Sequence, residues 1–133
     1  MAVKSYRDLR VWQFAMELAE ESYKITSSFP RQETYGLSAQ LRRSAISIPS
    51  NISEGHARRS TREFLRFLSI AQGSAAELET QFILATRLGY LATEASVAVL
   101  DKASELNRML HGLRASLQRR SRTDSAGALN PDP

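Results

Sequence analysis

From Tyr6 to Arg122 apolar residues recur three and four positions apart, and no stretch alternates as a strand does. Four segments carry this period. The first runs from about Tyr6 to Ser28, with Ser5 as a candidate N-cap, Asp8 three residues on, and Pro30 closing it. Its apolar positions form two adjacent stripes, Val11, Ala15, Leu18, Ile25 and Trp12, Met16, Ala19, Tyr23. Projected at 100° per residue, the apolar arc is roughly 220° wide, about twice what one packing face requires. The surplus predicts a second covered face, so Trp12, Met16 and Tyr23 are the candidates for an oligomer interface.

The second segment runs from about Glu33 to Ala57, with Leu37, Leu41, Ser44, Ile48 and Ile52 on or beside one stripe. Pro49 lies inside it, lacks an amide donor and opposes the carbonyl of Ala45, so a kink or break is expected there. Ser50 and Asn51 beside it read either as a functional notch or, more simply, as polar groups that satisfy the freed backbone. Ser60-Thr61-Arg62-Glu63 is a capping box that opens the third segment. Phe64, Leu68, Ala71, Ala75, Leu78, Phe82 and Ala85 then keep 4-3-4-3 spacing up to Gly89, a natural C-terminal cap. Thr93 opens the fourth, where Val99, Ala103, Leu106, Leu110, Leu113 and Leu117 repeat the spacing. Beyond Arg122 the periodicity is lost. The expectation is an all-α, antiparallel up-down-up-down four-helix bundle over residues 1–122 and a disordered C-terminal tail over 123–133.

A chain of 133 residues, 42% hydrophobic and 24% charged, has the composition of one globular domain. No apolar run is long enough to span a membrane, and the first residues lack the apolar stretch of a secretory signal. Absence of cysteine removes disulfides, thiolate metal sites and cysteine nucleophiles, which suits the cytoplasm. Net charge is +4, and fifteen of the eighteen basic residues are arginine. The planar arginine fork suits phosphate, although arginine-rich coding and plain solubility give the same composition.

Position sharpens the charge. Arg42, Arg43, Arg58, Arg59, Arg62 and Arg66 fall within 25 residues that hold only Glu54 and Glu63 as acids. Arg59, Arg62 and Arg66 project opposite the Phe64, Leu68 and Ala71 stripe, and Arg42 and Arg43 about 130° either side of the second segment's stripe, as a solvated face or a phosphate-binding one would. Arg108, Arg114, Arg119, Arg120 and Arg122 form a second basic stretch, for which complementing a helix C-terminus is the simpler explanation. Trp12 suits an interface anchor better than a base-stacking platform.

Catalysis finds little support. His56 and His111 are the only histidines, and no Glu-x-x-His pair appears. There is no P-loop, nucleophile elbow or dinucleotide fingerprint. No catalytic residue, metal or cofactor is expected.

Three stretches carry a resemblance: Tyr6-Arg7-Asp8-Leu9-Arg10-Val11-Trp12, then Phe29-Pro30 with Gln40 to Gly55, then Glu63 to Gln81. Together they resemble the four-helix-bundle proteins encoded in intervening sequences of bacterial 23S ribosomal RNA genes, over roughly residues 5–117. The resemblance implies a barrel-like homopentamer. It extends to the accessory variability determinant of diversity-generating retroelements, which binds nucleic acid and a reverse transcriptase through a basic surface. The resulting expectation is a non-catalytic nucleic-acid-binding protein, RNA or DNA, that assists a processing enzyme. The alternative is a protein-interaction scaffold that contacts no nucleic acid, and a metal-dependent bundle enzyme ranks third.

Overall fold

The computed structural model describes the backbone of residues 4–129 and the side chains of residues 4–122. Four helices, with no strand among the described residues, make up the bundle: α1 (Arg10–Thr26), α2 (Leu37–Ala57), α3 (Thr61–Arg87) and α4 (Thr93–Leu129). Short 3-10 turns at Tyr6–Asp8 and Arg31–Glu33 precede α1 and α2. Backbones approach between α1 and α2, α2 and α3, α3 and α4, and α1 and α4, so the helices form a ring around one core. The α3 stripe from Phe64 to Ala85 is buried throughout, as are Leu37, Leu41, Ile48 and Ile52 of α2 and Val99 to Leu110 at four positions of α4.

Helix starts and stops follow local chemistry with two surprises. Ser5 and Asp8 do form a reciprocal capping box, but it caps the 3-10 turn. Leu9 then takes an extended conformation (φ −76°, ψ 126°), and α1 starts only at Arg10. Gly89 (φ 81°) closes α3: its N–H bonds the Thr86 carbonyl at 3.0 Å, and the Tyr90 N–H bonds that of Ala85 at 2.9 Å. This is the paired-bond ending that glycine permits at no steric cost.

Of the kink or break expected at Pro49, the break does not occur, and α2 runs on as one helix. Pro49 is buried. The Asn51 side-chain amide donates to the Ser47 carbonyl at 2.8 Å and Ser47 Oγ at 3.0 Å, rather than to the Ala45 carbonyl that the proline leaves without its donor. Ser47 Oγ reaches Ser74 Oγ of α3 at 2.7 Å, so the polar group ties two helices together. The sequence pattern predicts a tail from residue 123 onward. The helical backbone of α4 continues beyond Arg122 to Leu129, just ahead of the Asn130-Pro131 pair. Residues 130–133 of that tail lie outside the described residues.

At the other side of the core, Glu33 is a small keystone. Its Oε1 accepts the Leu37 N–H at 3.1 Å, and its Oε2 accepts the Tyr90 hydroxyl at 2.8 Å. The start of α2 and the α3–α4 connection are thereby joined. The Leu37 amide first, and the Tyr90 hydroxyl second, hold the Glu33 carboxyl below its ordinary value. A depressed carboxylate contributes stability above its unfolded value, about 4.3, and loses it as pH falls below that. Melting temperature of Glu33→Gln should therefore fall less steeply than wild type between about pH 5 and 3. Parallel curves through that window would show that Glu33 contributes no acid sensitivity.

Candidate nucleic-acid interface

The α2–α3 connection places most of the first arginine cluster. Arg58 ends α2, Arg59 follows with a left-handed backbone (φ 57°), and Ser60 caps α3 by accepting the Glu63 N–H at 3.3 Å. A left-handed L-residue costs about 1–2 kcal/mol, so this turn is held by its neighbours. Only half of the expected capping box forms. The Glu63 carboxylate turns to Arg66 instead, taking Nη2 at 3.2 Å and Nε at 3.3 Å. That hydrogen bond, with the nearby Arg58 and Arg62 charges, keeps the Glu63 carboxyl below its ordinary value.

Arg58 pairs with Glu54 at 3.1 Å. The guanidinium groups of Arg58 and Arg66 also lie over the buried Phe67 ring, 5.2 and 4.5 Å from its centre. The side chains of Arg59 and Arg62 make no hydrogen bond or ion pair among the described residues. Arg59 lines an end cleft together with Lys4, His56 and Arg120.

Arg42 and Arg43 are elsewhere. Sixteen positions separate Arg42 from Arg58 and Arg43 from Arg59, roughly 24 Å of helical rise. Arg43 is exposed. Arg42, expected to be solvated, is instead half-buried: Nε donates to Thr26 Oγ1 at 2.8 Å, Nη2 to the Tyr23 carbonyl at 3.3 Å, and the guanidinium lies 4.5 Å from the centre of the Tyr23 ring. It satisfies and charges the C-terminus of α1, a structural duty. The six arginines thus divide into an end group of four, a free residue on α2 and a helix staple.

The sequence treated the second basic stretch as separate, but packing of α4 on α3 unites part of it with the first. Arg62, Arg66 and Arg114 line a single groove. Arg114 is half-buried, donates through Nη1 to Gln72 Oε1 of α3, and has a buried Nε with no partner. Arg108 is occupied by Glu105 at 2.8 Å.

The candidate interface residues of α1 lie on a different side. Trp12, Met16 and Tyr23 border an apolar trough between α1 and α2, with Ile46 and Pro49 opposite. Met16 and Tyr23 are 38% and 41% exposed, while Trp12 is partly covered and meets Tyr6 edge-to-face at 5.2 Å. Among the described residues no three His, Asp or Glu side chains gather to hold a metal ion, and no helix is long and apolar enough to cross a membrane.

The crystal structure of a protein with unknown function from the S23 ribosomal protein family of Bacteroides thetaiotaomicron is similar to this chain. The two are 28% identical with a TM-score of 0.71, over 78% of this chain and 97% of that one. No curated protein matches the chain. The model of the 23S rRNA-intervening sequence protein family matches residues 7–112, from ahead of α1 into α4, and the chain belongs to that family.

Proposed function

We propose that this protein is a non-catalytic nucleic-acid-binding bundle of the cytoplasm, assisting an RNA- or DNA-processing enzyme such as a reverse transcriptase. The observation that carries the reading is the end group of Arg58, Arg59, Arg62 and Arg66, which only Glu54 and Glu63 offset. Short connections favour an antiparallel up-down-up-down order. The test is binding of short RNA and DNA across a salt series. If four phosphates are neutralised per protomer, log affinity falls with log salt at a slope of about −3 to −4. Arg59→Ala with Arg62→Ala and Arg66→Ala should weaken both polymers and flatten that slope by about two to three. Arg31→Ala with Arg87→Ala, both exposed and far from the end group, should leave binding unchanged. A triple variant with wild-type affinity and slope would remove this surface as the site. A wild type that binds neither polymer at low salt would leave the protein-interaction scaffold as the function.

The trough beside Trp12, Met16 and Tyr23 supports self-association, with a homopentamer following from the family resemblance. Light scattering should report five protomer masses at micromolar concentration, and Met16→Glu with Tyr23→Glu should reduce that to one. A wild-type monomer would end this part of the proposal.

A further inference from the structure

We infer that the groove between α3 and α4 is a seat for the phosphodiester backbone of a polynucleotide, with Arg114 as its inner donor. The inference rests on the nucleic-acid reading above and adds a site that the chain assembles from residues 48 and 52 positions apart. Arg62 and Arg66 stand one helical turn apart on α3, about 6 Å in rise, and Arg114 faces them from α4. Ser69 and Ser121 add hydroxyls, and Leu65 contributes an apolar wall. The Glu63 carboxylate holds Arg66 from beside the groove at 3.2 and 3.3 Å, which leaves Arg62 and Arg114 as the groove's arginines without an acid partner among the described residues.

Three features of Arg114 point to an anion. First, its guanidinium is half-buried without an acid partner, so part of its hydration is lost with nothing negative in return. Second, Gln72 fixes the guanidinium through Nη1 while Nη2, beside the buried Nε, makes no hydrogen bond, which leaves one oriented donor. Third, the helix-dipole explanation fails. The favourable effect of a cation is confined to the last turn of a helix, and α4 continues to Leu129 with no basic residue in that turn.

Phosphate satisfies all three conditions, since a guanidinium fork matches its oxygens. With no aromatic ring among its lining residues, the groove offers no platform for stacking bases. It therefore reads backbone charge and takes RNA and DNA alike. Arg114 lies beyond residues 7–112, so this half of the groove is contributed from outside the span that matches the family.

The test uses full-length protein, an RNA and a DNA oligonucleotide of the same sequence, and salt between about 50 and 200 mM. Arg114→Gln should weaken both polymers by about tenfold and flatten the salt slope by about one. Arg114→Lys keeps the charge but not the fork, so the slope should survive while affinity falls. It also carries the test if Arg114→Gln fails to fold. Gln72→Leu, which releases Arg114 with its charge intact, should likewise lower affinity at constant slope. Wild-type binding by both Arg114 variants, with the Arg59, Arg62, Arg66 triple variant still impaired, would overturn the seat and leave the functional reading standing. A defect confined to RNA would also overturn it, because a backbone seat does not distinguish the sugars. Failure of the wild type to bind either polymer overturns both.

Discussion

Gly55→Ala should destabilise the bundle although alanine is the better helix former. Gly55 is buried where α2 meets α3, and a Cβ built there lies 2.6 Å from Phe67 Cβ and 3.1 Å from Phe64 Cδ1. Phe67 Cβ is fixed to the α3 backbone, so a rotamer change cannot clear it. One helix must move. Overpacking of this kind costs about 1–3 kcal/mol, and the helix-propensity gain of about 1 kcal/mol offsets only part. Urea melts should show a lower midpoint for Gly55→Ala and a much lower one for Gly55→Leu. The damage reaches the candidate interface, because a displaced Phe67 takes with it the ring on which Arg58 and Arg66 lie. A Gly55→Ala variant more stable than wild type would mean that α2 and α3 separate without cost.

Phe82→Ala should lose about 3–5 kcal/mol, the largest single-residue effect expected here. Phe82 is fully buried and is the largest such side chain in the core. Truncation removes a whole ring from the interior, and the surrounding helices relax into the void only partly. Total stabilities of about 5–15 kcal/mol make this a large fraction of the fold. The neighbouring Ile83 points to solvent, and Ile83→Ala should stay within about 0.5 kcal/mol of wild type. Thermal and urea unfolding of the pair give the comparison directly. Equal effects would mean that α3 presents a different face to the core.

The α3 packing face was legible because every inward position is apolar and the 4-3-4-3 spacing is unbroken. In α1 the reading placed Ile25 on the inner stripe, whereas burial passes through Ser22 and Thr26. Hydroxyl residues look like surface in a sequence. Here each returns its proton to its own helix, Ser22 Oγ to the Leu18 carbonyl and Thr26 Oγ1 to the Ser22 carbonyl, both at 2.8 Å. Their burial therefore leaves no unpaired donor. Capping chemistry was also legible, but Ser5 and Asp8 could not announce that Leu9 would interrupt the turn they cap. The arginines show where such reading stops. Arg42 and Arg43 project to either side of their stripe, and nothing in the periodicity says which side α1 covers, yet Tyr23 and Thr26 capture only the first. The meeting of Arg114 with Arg62 and Arg66 likewise depends on how α4 packs on α3.

The end arginines and the connection before α2 stand at opposite ends of the bundle, separated by nearly the length of α3, about 40 Å for its 27 residues. Tyr35, in that connection, is 96% exposed, and the sequence has no cysteine. Tyr35→Cys thus creates a unique thiol away from every arginine of the end group. A fluorophore attached there reports tumbling and distance without adding bulk or charge to the end group. A thiol-reactive surface would likewise tether the protein with its end arginines turned toward solution.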